Sequence, residues 1–546
     1  MTIFTVKLRA DDPAAARSLI ADYENRIRPI EVEVNRRWWD ANVTGGDTAY
    51  QKKQEAENRL DEALADRDRF AKLKACDGKI DDPLVARQIR LLYLQALPKQ
   101  VGPELLKQIV TRANAIEMRF NVYRAKIGDK ELTDSDVRRI LHQSSDVKER
   151  KAAWQASKGV GREVAQDLRT LVTLRNKSAR ELGFADFYAM QFELNEQKPD
   201  DVLAVFDELD RLTRRPFEDA KQDVDRRLAE RFSIGIDELR PWHYHDPFFQ
   251  EPPAVYKTSL DAAYTGVKIP ELCGKFYRGI GLPIDEVLAH SDLYEKPGKN
   301  PHAFCTDLDR EGDVRVLANI VHNEYWMGTM LHELGHSVYS SRFIPRSLPY
   351  VVRTDAHILA TEGLAMMFER FSKSAEWLAA MGVDVADPSA FSATGRLMRR
   401  NKLLIFSRWC QVMLRFEKEL YRDPDQDLNS LWWSLVERYQ LLKRPEGRDE
   451  PDYASKIHIV VAPCYYHNYM LGELFACQLH AAIARELFPD SDPNTLIYVD
   501  QPKVGKFLQE RVFNPGRTLT WNALTRHATG EDLQPRAFAA DLGEAN

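Results

Sequence analysis

The stretch His332-Glu333-Leu334-Gly335-His336 reads HExxH and lies within residues 321–340, which have a helical pattern. Two histidines four residues apart lie on one face of a helix, one turn apart. That spacing lets both imidazoles bind a single Zn²⁺, with Glu333 beside them as a general base. The motif therefore predicts a zinc-dependent hydrolytic site on this helix.

A catalytic zinc needs a third protein ligand and an open position for water. Glu362 is the candidate, because residues 360–369 also show a helical apolar face. The alternative is a chance match on a solvated helix, since HExxH alone is moderately specific. The motif, however, has apolar and aromatic flanks, among which imidazole and carboxylate groups are costly to bury without a partner. We therefore expect one Zn²⁺ per chain, held by His332, His336 and Glu362.

Composition excludes several other classes. The 546 residues are 44% hydrophobic and 29% charged, with a net charge of -6, and no basic run suggests a nucleic-acid partner. No run of 18 apolar residues indicates a membrane span, and residues 1–7 lack the pattern of a signal peptide. The six cysteines show no CxxC and no framework spacing, which favours free thiols in a reducing compartment. We expect a cytoplasmic enzyme that binds neither nucleic acid nor membrane.

Helical periodicity dominates the chain and predicts a mostly α fold. Residues 14–75, 103–127 and 162–183 have apolar side chains at steps of three and four, and Gly183 suits the end of a helix. Residues 313–320 are instead rich in β-formers, which predicts a short strand just before the zinc helix. Such a strand can accept an extended peptide by backbone pairing, although an ordinary buried strand is a compatible interpretation.

A second group of candidate residues lies in 453–483, which is dense in tyrosine and histidine. Peptide hydrolysis passes through a tetrahedral oxyanion, which a Tyr O–H or a His N–H can stabilise together with zinc. His458, Tyr466 and Tyr469 are the candidates. Packing in a helical core is an equally good explanation of these aromatic residues on their pattern alone.

With these residues identified, the chain resembles the angiotensin-converting-enzyme family of zinc peptidases, the M2 gluzincins, and shows kinship with the thimet oligopeptidase-like M3 enzymes. The motif at 332–336 is similar to the M2 HEMGH, and Glu362 falls at the position of the third ligand, with Arg353 before it at the family's spacing. His302-Ala303 resembles a His-Ala pair that contacts substrate backbone, thirty residues before the first zinc histidine.

The same resemblance extends to the C-terminal third. Lys456-Ile457-His458 resembles the family's Lys-Phe-His, and Tyr466-His467-Asn468-Tyr469 resembles its Tyr-Ile-Arg-Tyr. Gln250, at the end of Asp246-Pro247-Phe248-Phe249-Gln250, fits a family Asp-x-x-x-Gln stretch. In the family, a Gln, a Lys and a Tyr bind the C-terminal carboxylate of the substrate, so the resemblance assigns that clamp to Gln250, Lys456 and Tyr466.

The resemblance implies a large, mostly α-helical gluzincin peptidase with two subdomains around a deep cleft and one short β-sheet beside the zinc helix. It implies a single catalytic domain over 1–546. Within it we expect N-terminal lid helices at about 12–127, a zinc-binding core at about 300–370, and a substrate-clamp and oxyanion segment at about 453–483.

The implied activity is that of a zinc peptidyl-dipeptidase, which releases dipeptides from the free C-termini of short peptides. Glu333 would act as the general base, and His458 and Tyr469 would stabilise the oxyanion. The residues expected to bind substrate are Gln250, His302, Ala303, Lys456 and Tyr466.

Three positions depart from the M2 pattern. Met366 replaces an Asp that is an outer-shell partner of a zinc histidine, whereas Glu369 resembles the M3 pattern and Asp355 is a further candidate for that role. Asn468 replaces the Arg that binds an activating chloride in animal enzymes, which argues against chloride activation. Pro301 replaces a cysteine, so the family's disulfide there is absent.

Two alternatives stay open. One is an M3-like oligoendopeptidase that cuts short peptides internally, which cleavage of C-terminally blocked peptides would reveal. The other is a catalytically silent peptide-binding relative, which would bind zinc without turnover. The intact motif, Glu362 and Tyr469 argue against the silent relative.

Overall fold

The structure is a computed structural model that describes residues 13–253 and 259–543. The expectation about a signal peptide at residues 1–7 lies outside these residues. Within the described chain, no helix combines the length and the apolar composition that crossing a membrane requires.

Helices form most of the described structure, as predicted. In chain order the α-helices are α1 (Pro13–Arg26), α2 (Arg28–Thr44), α3 (Asp47–Leu64), α4 (Arg67–Cys76), α5 (Pro83–Ala96), α6 (Pro103–Val122), α7 (Asp134–Gln143), α8 (Val147–Glu181), α9 (Phe187–Leu194), α10 (Pro199–Phe232), α11 (Ile269–Gly279), α12 (Asp285–His290), α13 (Glu324–Val338), α14 (Ile358–Glu369), α15 (Ala375–Met381), α16 (Pro388–Arg422), α17 (Leu428–Gln440), α18 (His458–Val461), α19 (Tyr466–Leu487), α20 (Pro502–Leu508), α21 (Trp521–Thr529) and α22 (Arg536–Asp541).

The described residues also form two small antiparallel sheets, and short 3-10 and π-helical turns connect several of the longer elements. The first pairs β1 (Ala125–Ile127) with β2 (Lys130–Leu132), so the predicted helix over 103–127 is wrong at its end. The reason is a tight turn at Gly128, whose φ of +59° suits glycine and lets the chain reverse into a hairpin. The second pairs β3 (Phe304–Asp307) with β4 (Val314–Leu317), with Phe304 opposite Leu317, and it confirms the predicted strand before the zinc helix.

The chain forms two compact units. The first comprises the described residues up to 100 together with 260–392 and 475–533, and the second comprises 101–253, 259, 393–474 and the described residues from 534. The zinc motif therefore belongs to the first unit, and the Tyr- and His-rich segment up to residue 474 belongs to the second.

In the first unit, the N-terminal helices share a core with the part of the chain that carries the predicted zinc motif. Helices α1, α4 and α5 bury their apolar faces together with Tyr350, Val351 and Val352. Helix α2 places Trp39 against Leu308 and Leu317, so it covers the β3–β4 sheet. The expectation that these helices act as a lid stays a prediction.

In the second unit, the long helices α8 and α10 supply much of the core. The side chain of Asp146 accepts the Lys148 and Glu149 N–H groups at the start of α8, which lies fifteen residues before the predicted start. Val164, Leu168 and Leu171 are fully buried, as their spacing predicted. Gly183 follows the helix with a φ of +94°, the left-handed conformation that ends many helices.

Candidate active site

Two closely packed helices carry the predicted zinc ligands. At the start of α13, the Asn323 side chain accepts the Trp326 N–H. One turn into the motif, α13 contacts α14 so closely that a Cβ on Gly335 would lie 2.7 Å from the Cα of Ala365. Only glycine permits that approach, which places Glu362, one turn before Ala365, beside the two histidines. The second variable position of the HExxH motif is thus glycine for packing reasons.

The three predicted ligands converge in the first unit. The Nε2 atoms of His332 and His336 are 3.1 Å apart, and His332 Nε2 lies 3.5 Å from Glu362 Oε2. The ligand atoms of all three residues lie within 4.8 Å of one another. Ligands about 2.1 Å from a tetrahedral Zn²⁺ are about 3.4 Å apart, so these separations fit a zinc ion with three protein ligands. The arrangement supports the zinc assignment.

The other ring nitrogens of the histidines have partners that hold each Nε2 toward the site. His332 Nδ1 lies 3.2 Å from Glu369 Oε2, and His336 Nδ1 lies 2.8 Å from Thr361 Oγ1. Glu369, the M3-like candidate, is therefore the outer-shell partner of a zinc histidine, and the alternative candidate, Asp355, does not have that role. Thr361 was not foreseen, although its place directly before Glu362 was a signal that could have indicated it.

The charges of the site favour a cation among the ligands. Burial alone raises the pKa of Glu362, but contacts with His332 and His336 outweigh it and hold the pKa below its ordinary value. Burial lowers the pKa of His332, yet the carboxylates of Glu362 and Glu369 raise it well above the ordinary value. Burial also raises the pKa of Glu333 to about 7. The carboxylates thus stabilise positive charge where the ligand atoms meet.

A cavity of about 380 Å³ opens onto the ligands within the first unit. Glu333 lines it, and so does Ala303, which directly precedes β3. The Cys305 N–H on β3 contacts the Glu333 carboxylate, so the edge of this strand faces the motif. His302 is exposed and does not line the cavity; its backbone N–H donates to Asn300 Oδ1 at 2.8 Å. Ala303, but not His302, is therefore brought to the zinc ligands.

The three residues of the predicted clamp converge in the second unit. Lys456 Nζ donates to Gln250 Oε1 at 2.8 Å, and the Tyr466 hydroxyl donates to the same oxygen at 3.4 Å. The Lys456 ammonium lies 5.1 to 5.3 Å from the ring centroids of Phe248, Trp409 and Tyr466. These positions are up to 216 residues apart in sequence, so their meeting is a property of the fold.

Lys456 is nearly inaccessible, with 6% of its surface exposed. Burial lowers the pKa of Lys456 to about 8, and the carboxylate of Asp246 acts in the opposite direction. The side chain therefore carries a positive charge at neutral pH in an apolar, aromatic environment. A desolvated ammonium of this kind interacts strongly with an anion.

The two predicted oxyanion residues adjoin the clamp. His458 begins α18, and its ring centroid is 5.1 Å from that of Tyr466, which in turn is 5.8 Å from that of Tyr469. Burial lowers the pKa of His458 to about 4, so its imidazole is neutral at pH 7. Among the described residues, His458 Nδ1 is buried without a hydrogen-bond partner.

Asn468, where the M2 pattern has an arginine, is also buried, and its Oδ1 accepts Gln197 Nε2 at 2.8 Å.

Two buried residues that the sequence did not indicate hold the segment from α18 to α19. The Arg175 guanidinium on α8 donates to the carbonyls of Ile459 and Val460 at 3.0 and 2.6 Å. The Glu417 carboxylate on α16 accepts the N–H of Cys464, whose φ is +56°. Because both lie on distant helices, no local pattern marks them as supports of His458 and Tyr466.

Comparison with family models relates the two ends of the chain to two peptidase families. Residues 10–215 match the M2 peptidase model, which describes angiotensin-converting enzyme, and residues 288–544 match the model of peptidase family M3. The zinc ligands and Glu369 thus fall in the part that matches M3.

Curated relatives support the M2 relationship, at low identity. An angiotensin-converting enzyme from Theromyzon tessulatum is 19% identical over 427 residues, which cover 73% of this chain and 69% of that enzyme. An angiotensin-converting enzyme-related protein from Drosophila melanogaster is 20% identical, over 54% of this chain and 49% of the relative. For the angiotensin-converting enzyme of Rattus norvegicus the identity is 22%, over 52% of this chain and 22% of the relative. The predicted kinship with the M2 and M3 peptidases is confirmed.

Proposed function

We propose that this chain, a zinc metallopeptidase related to the M2 and M3 families, is a dipeptidyl carboxypeptidase that releases dipeptides from the free C-termini of short peptides. The observation that carries the proposal is the convergence of Gln250, Lys456 and Tyr466 on one point. An endopeptidase has no need for a buried ammonium and a phenol at a single binding point.

The clamp has the chemistry that recognises a carboxylate. The Lys456 ammonium supplies charge-assisted hydrogen bonds, and the Tyr466 hydroxyl supplies a neutral donor. Phe248 and Trp409 exclude water, which strengthens the attraction between the ammonium and an anion. A peptidase that recognises the chain end cuts at a set number of residues from it, which is the specificity proposed here.

His332, His336 and Glu362 would hold the zinc ion, which when bound polarises the scissile carbonyl and acidifies water. Glu333 accepts the proton of the attacking water and later delivers a proton to the leaving amine. Glu369 and Thr361 keep both imidazoles in the orientation that directs Nε2 to the metal. Ala303 and the edge of β3 that faces the motif would align the substrate backbone as an added strand.

His458 and Tyr469 are proposed to stabilise the oxyanion. His458 is neutral at neutral pH, so the imidazole can act as a neutral N–H donor. A donor of this kind contributes about 3–4 kcal/mol to the stabilisation of a transition state. The supports at Arg175 and Glu417 hold the backbone between His458 and Tyr466, which gives these groups a defined position.

The proposal is tested by mass spectrometry of short peptides incubated with zinc-loaded protein, each peptide made as the free acid and as the C-terminal amide. We expect successive loss of C-terminal dipeptides from the acids, with the amides largely intact. Glu333→Gln is the control, since it should keep zinc but lose activity by several orders of magnitude. Equal internal cleavage of acids and amides would refute the proposed specificity.

A second candidate function is an oligoendopeptidase. It is favoured by the contact between Glu369 and His332 and by the M3 match over 288–544. Under this alternative, Gln250, Lys456 and Tyr466 are structural residues, and replacing Lys456 would affect acids and amides equally.

A further inference from the structure

The clamp contains a buried carboxylate, Asp246, to which no role has yet been assigned. Asp246 is 5% exposed and lies four residues before Gln250 in the second unit. Its Oδ1 accepts the backbone N–H groups of Phe248 and Gln250 at 2.9 and 3.0 Å. Its Oδ2 accepts the side-chain Nε2 of Gln250 at 3.2 Å. One carboxylate therefore holds both the turn and the amide of Gln250.

These contacts leave the amide of Gln250 only one orientation. A carboxylate can only accept hydrogen bonds and an ammonium can only donate them. With Asp246 on one side and Lys456 on the other, the Nε2 atom must face Asp246 and the Oε1 atom must face Lys456. The opposite orientation would place an amide N–H against an ammonium and a carbonyl oxygen against a carboxylate.

We propose that Asp246 is a positioning residue that turns the Gln250 oxygen into the clamp, where it occupies the place of a substrate carboxylate oxygen in the free protein. Gln250 is then an acceptor that the substrate displaces from Lys456 and Tyr466. This refines the assignment of Gln250 to the groups that bind the substrate carboxylate, and it rests on the proposed function.

The contacts of Lys456 show why an internal acceptor is useful. The ammonium is surrounded by aromatic rings, and a buried charge without a partner is costly. The Gln250 oxygen supplies a neutral partner at 2.8 Å until an anion arrives. Because that partner is neutral, a carboxylate competes with it favourably, whereas an ionised partner would block the clamp.

The proposal predicts that two substitutions in the clamp strengthen substrate binding, whereas loss of a binding residue would weaken it. In Gln250→Met the displaced acceptor is gone, and in Asp246→Asn the amide can reverse and present Nε2 to the substrate. Both variants should bind free-acid peptides more tightly, by about tenfold, since the substrate no longer has to displace a hydrogen bond to a charged group. If Gln250 instead donates to the carboxylate, Gln250→Met should weaken binding by a similar factor.

Binding is measured by calorimetry on the full-length, zinc-loaded Glu333→Gln protein, with one short peptide as acid and as amide. A pH of about 6.5 keeps Lys456 charged, because its pKa is about 8. The other titratable or charged groups that act on this ammonium are Asp246, Glu251, Arg138, Cys410, Lys158 and His458.

Gln440→Met is the matched control, because it should loosen the turn at Phe248 and Phe249 without changing the partner of Lys456. Gln440 is also a buried glutamine, and its Nε2 donates to the carbonyls of Phe248 and Phe249 at 2.9 and 2.8 Å without contacting Lys456. This variant should weaken binding of the acid, as any structural loosening would. The opposite effects of Gln250→Met and Gln440→Met separate the proposed role from a merely structural one.

Lys456→Met in the same background separates this proposal from the proposed function. If Lys456→Met leaves the preference for acid over amide unchanged, the clamp itself is refuted. If Lys456→Met removes that preference while Gln250→Met and Asp246→Asn both weaken acid binding, only the role of Asp246 is overturned. Tighter acid binding in both variants, with the amide unaffected, supports the proposal.

Discussion

Replacing Gly335 by Ala should damage the zinc site while changing the stability of the fold little. The new Cβ would lie 2.7 Å from the Cα of Ala365, a backbone atom that cannot turn away. Carbon atoms prefer to be about 3.5–4.0 Å apart, so α13 and α14 must separate by about 1 Å at this point. Zinc–ligand distances tolerate deviations of only about 0.2 Å, and Glu362 lies one turn from the contact.

The magnitudes favour a loss of metal over a loss of fold. Overpacking costs about 1–3 kcal/mol, and a helical alanine recovers about 1 kcal/mol relative to glycine, so the free energy of unfolding should fall by about 0–2 kcal/mol. Zinc affinity should fall by at least about tenfold, which is the smallest loss usually seen when the groups that orient metal ligands are disturbed. The assay is competition with a chelator of known zinc affinity, with denaturant unfolding measured in parallel.

Gly328→Ala is the control on the same helix. Its added Cβ would lie 3.1 Å from the Ser372 hydroxyl, which needs to yield only a few tenths of an ångström, and 3.5 Å from the Glu369 Cγ, an ordinary contact distance. It should therefore keep zinc affinity near that of the wild type. Equal zinc affinity in Gly335→Ala and Gly328→Ala would refute the argument that close packing at Gly335 sets the ligand geometry.

Three further outcomes are expected. Glu369→Gln weakens the carboxylate contact of His332 and should lower zinc affinity by about 10–100-fold in the same chelator competition; unchanged affinity would remove Glu369 from the outer shell. The KM of free-acid peptides should rise as the pH increases through about 8, because Lys456 loses its proton there, whereas the KM of amides should stay flat; parallel pH profiles would contradict the clamp. Arg175→Met leaves two buried carbonyls without their donor and should reduce the free energy of unfolding by about 3 kcal/mol, measured by denaturant titration. Arg162→Met, at an exposed arginine, is the control and should reduce it by at most about 1 kcal/mol.

The zinc site could be predicted because its ligands lie in two short segments, each with a recognisable sequence pattern. The spacing of His332 and His336 depends only on helix geometry, and Glu362 follows within a second periodic segment. The choice between Asp355 and Glu369 as the partner of His332 could not be made from sequence. It depends on where α14 crosses α13, and that crossing is set by the contact between Gly335 and Ala365.

The clamp was predictable only through resemblance, because its members come from distant parts of the chain. Lys456 by itself has the pattern of a surface lysine, and its burial follows from the packing of Phe248 and Trp409 around it. The role of Asp246 was not visible at all, since a turn with an aspartate is common on protein surfaces. The helix expected to reach residue 127 ended early because the Gly128 turn outweighed the helical periodicity before it.

The most direct test of the account is the ratio of kcat/KM for one short peptide as the free acid and as the C-terminal amide, measured for the wild type and for Lys456→Met. Removing one partner of a buried charge pair costs about 2–5 kcal/mol, so we predict a large acid preference in the wild type that falls by about 100-fold in the variant. Amide cleavage should be nearly the same in both proteins. A wild-type ratio near one, or a ratio that Lys456→Met leaves unchanged, would contradict recognition of a free C-terminus.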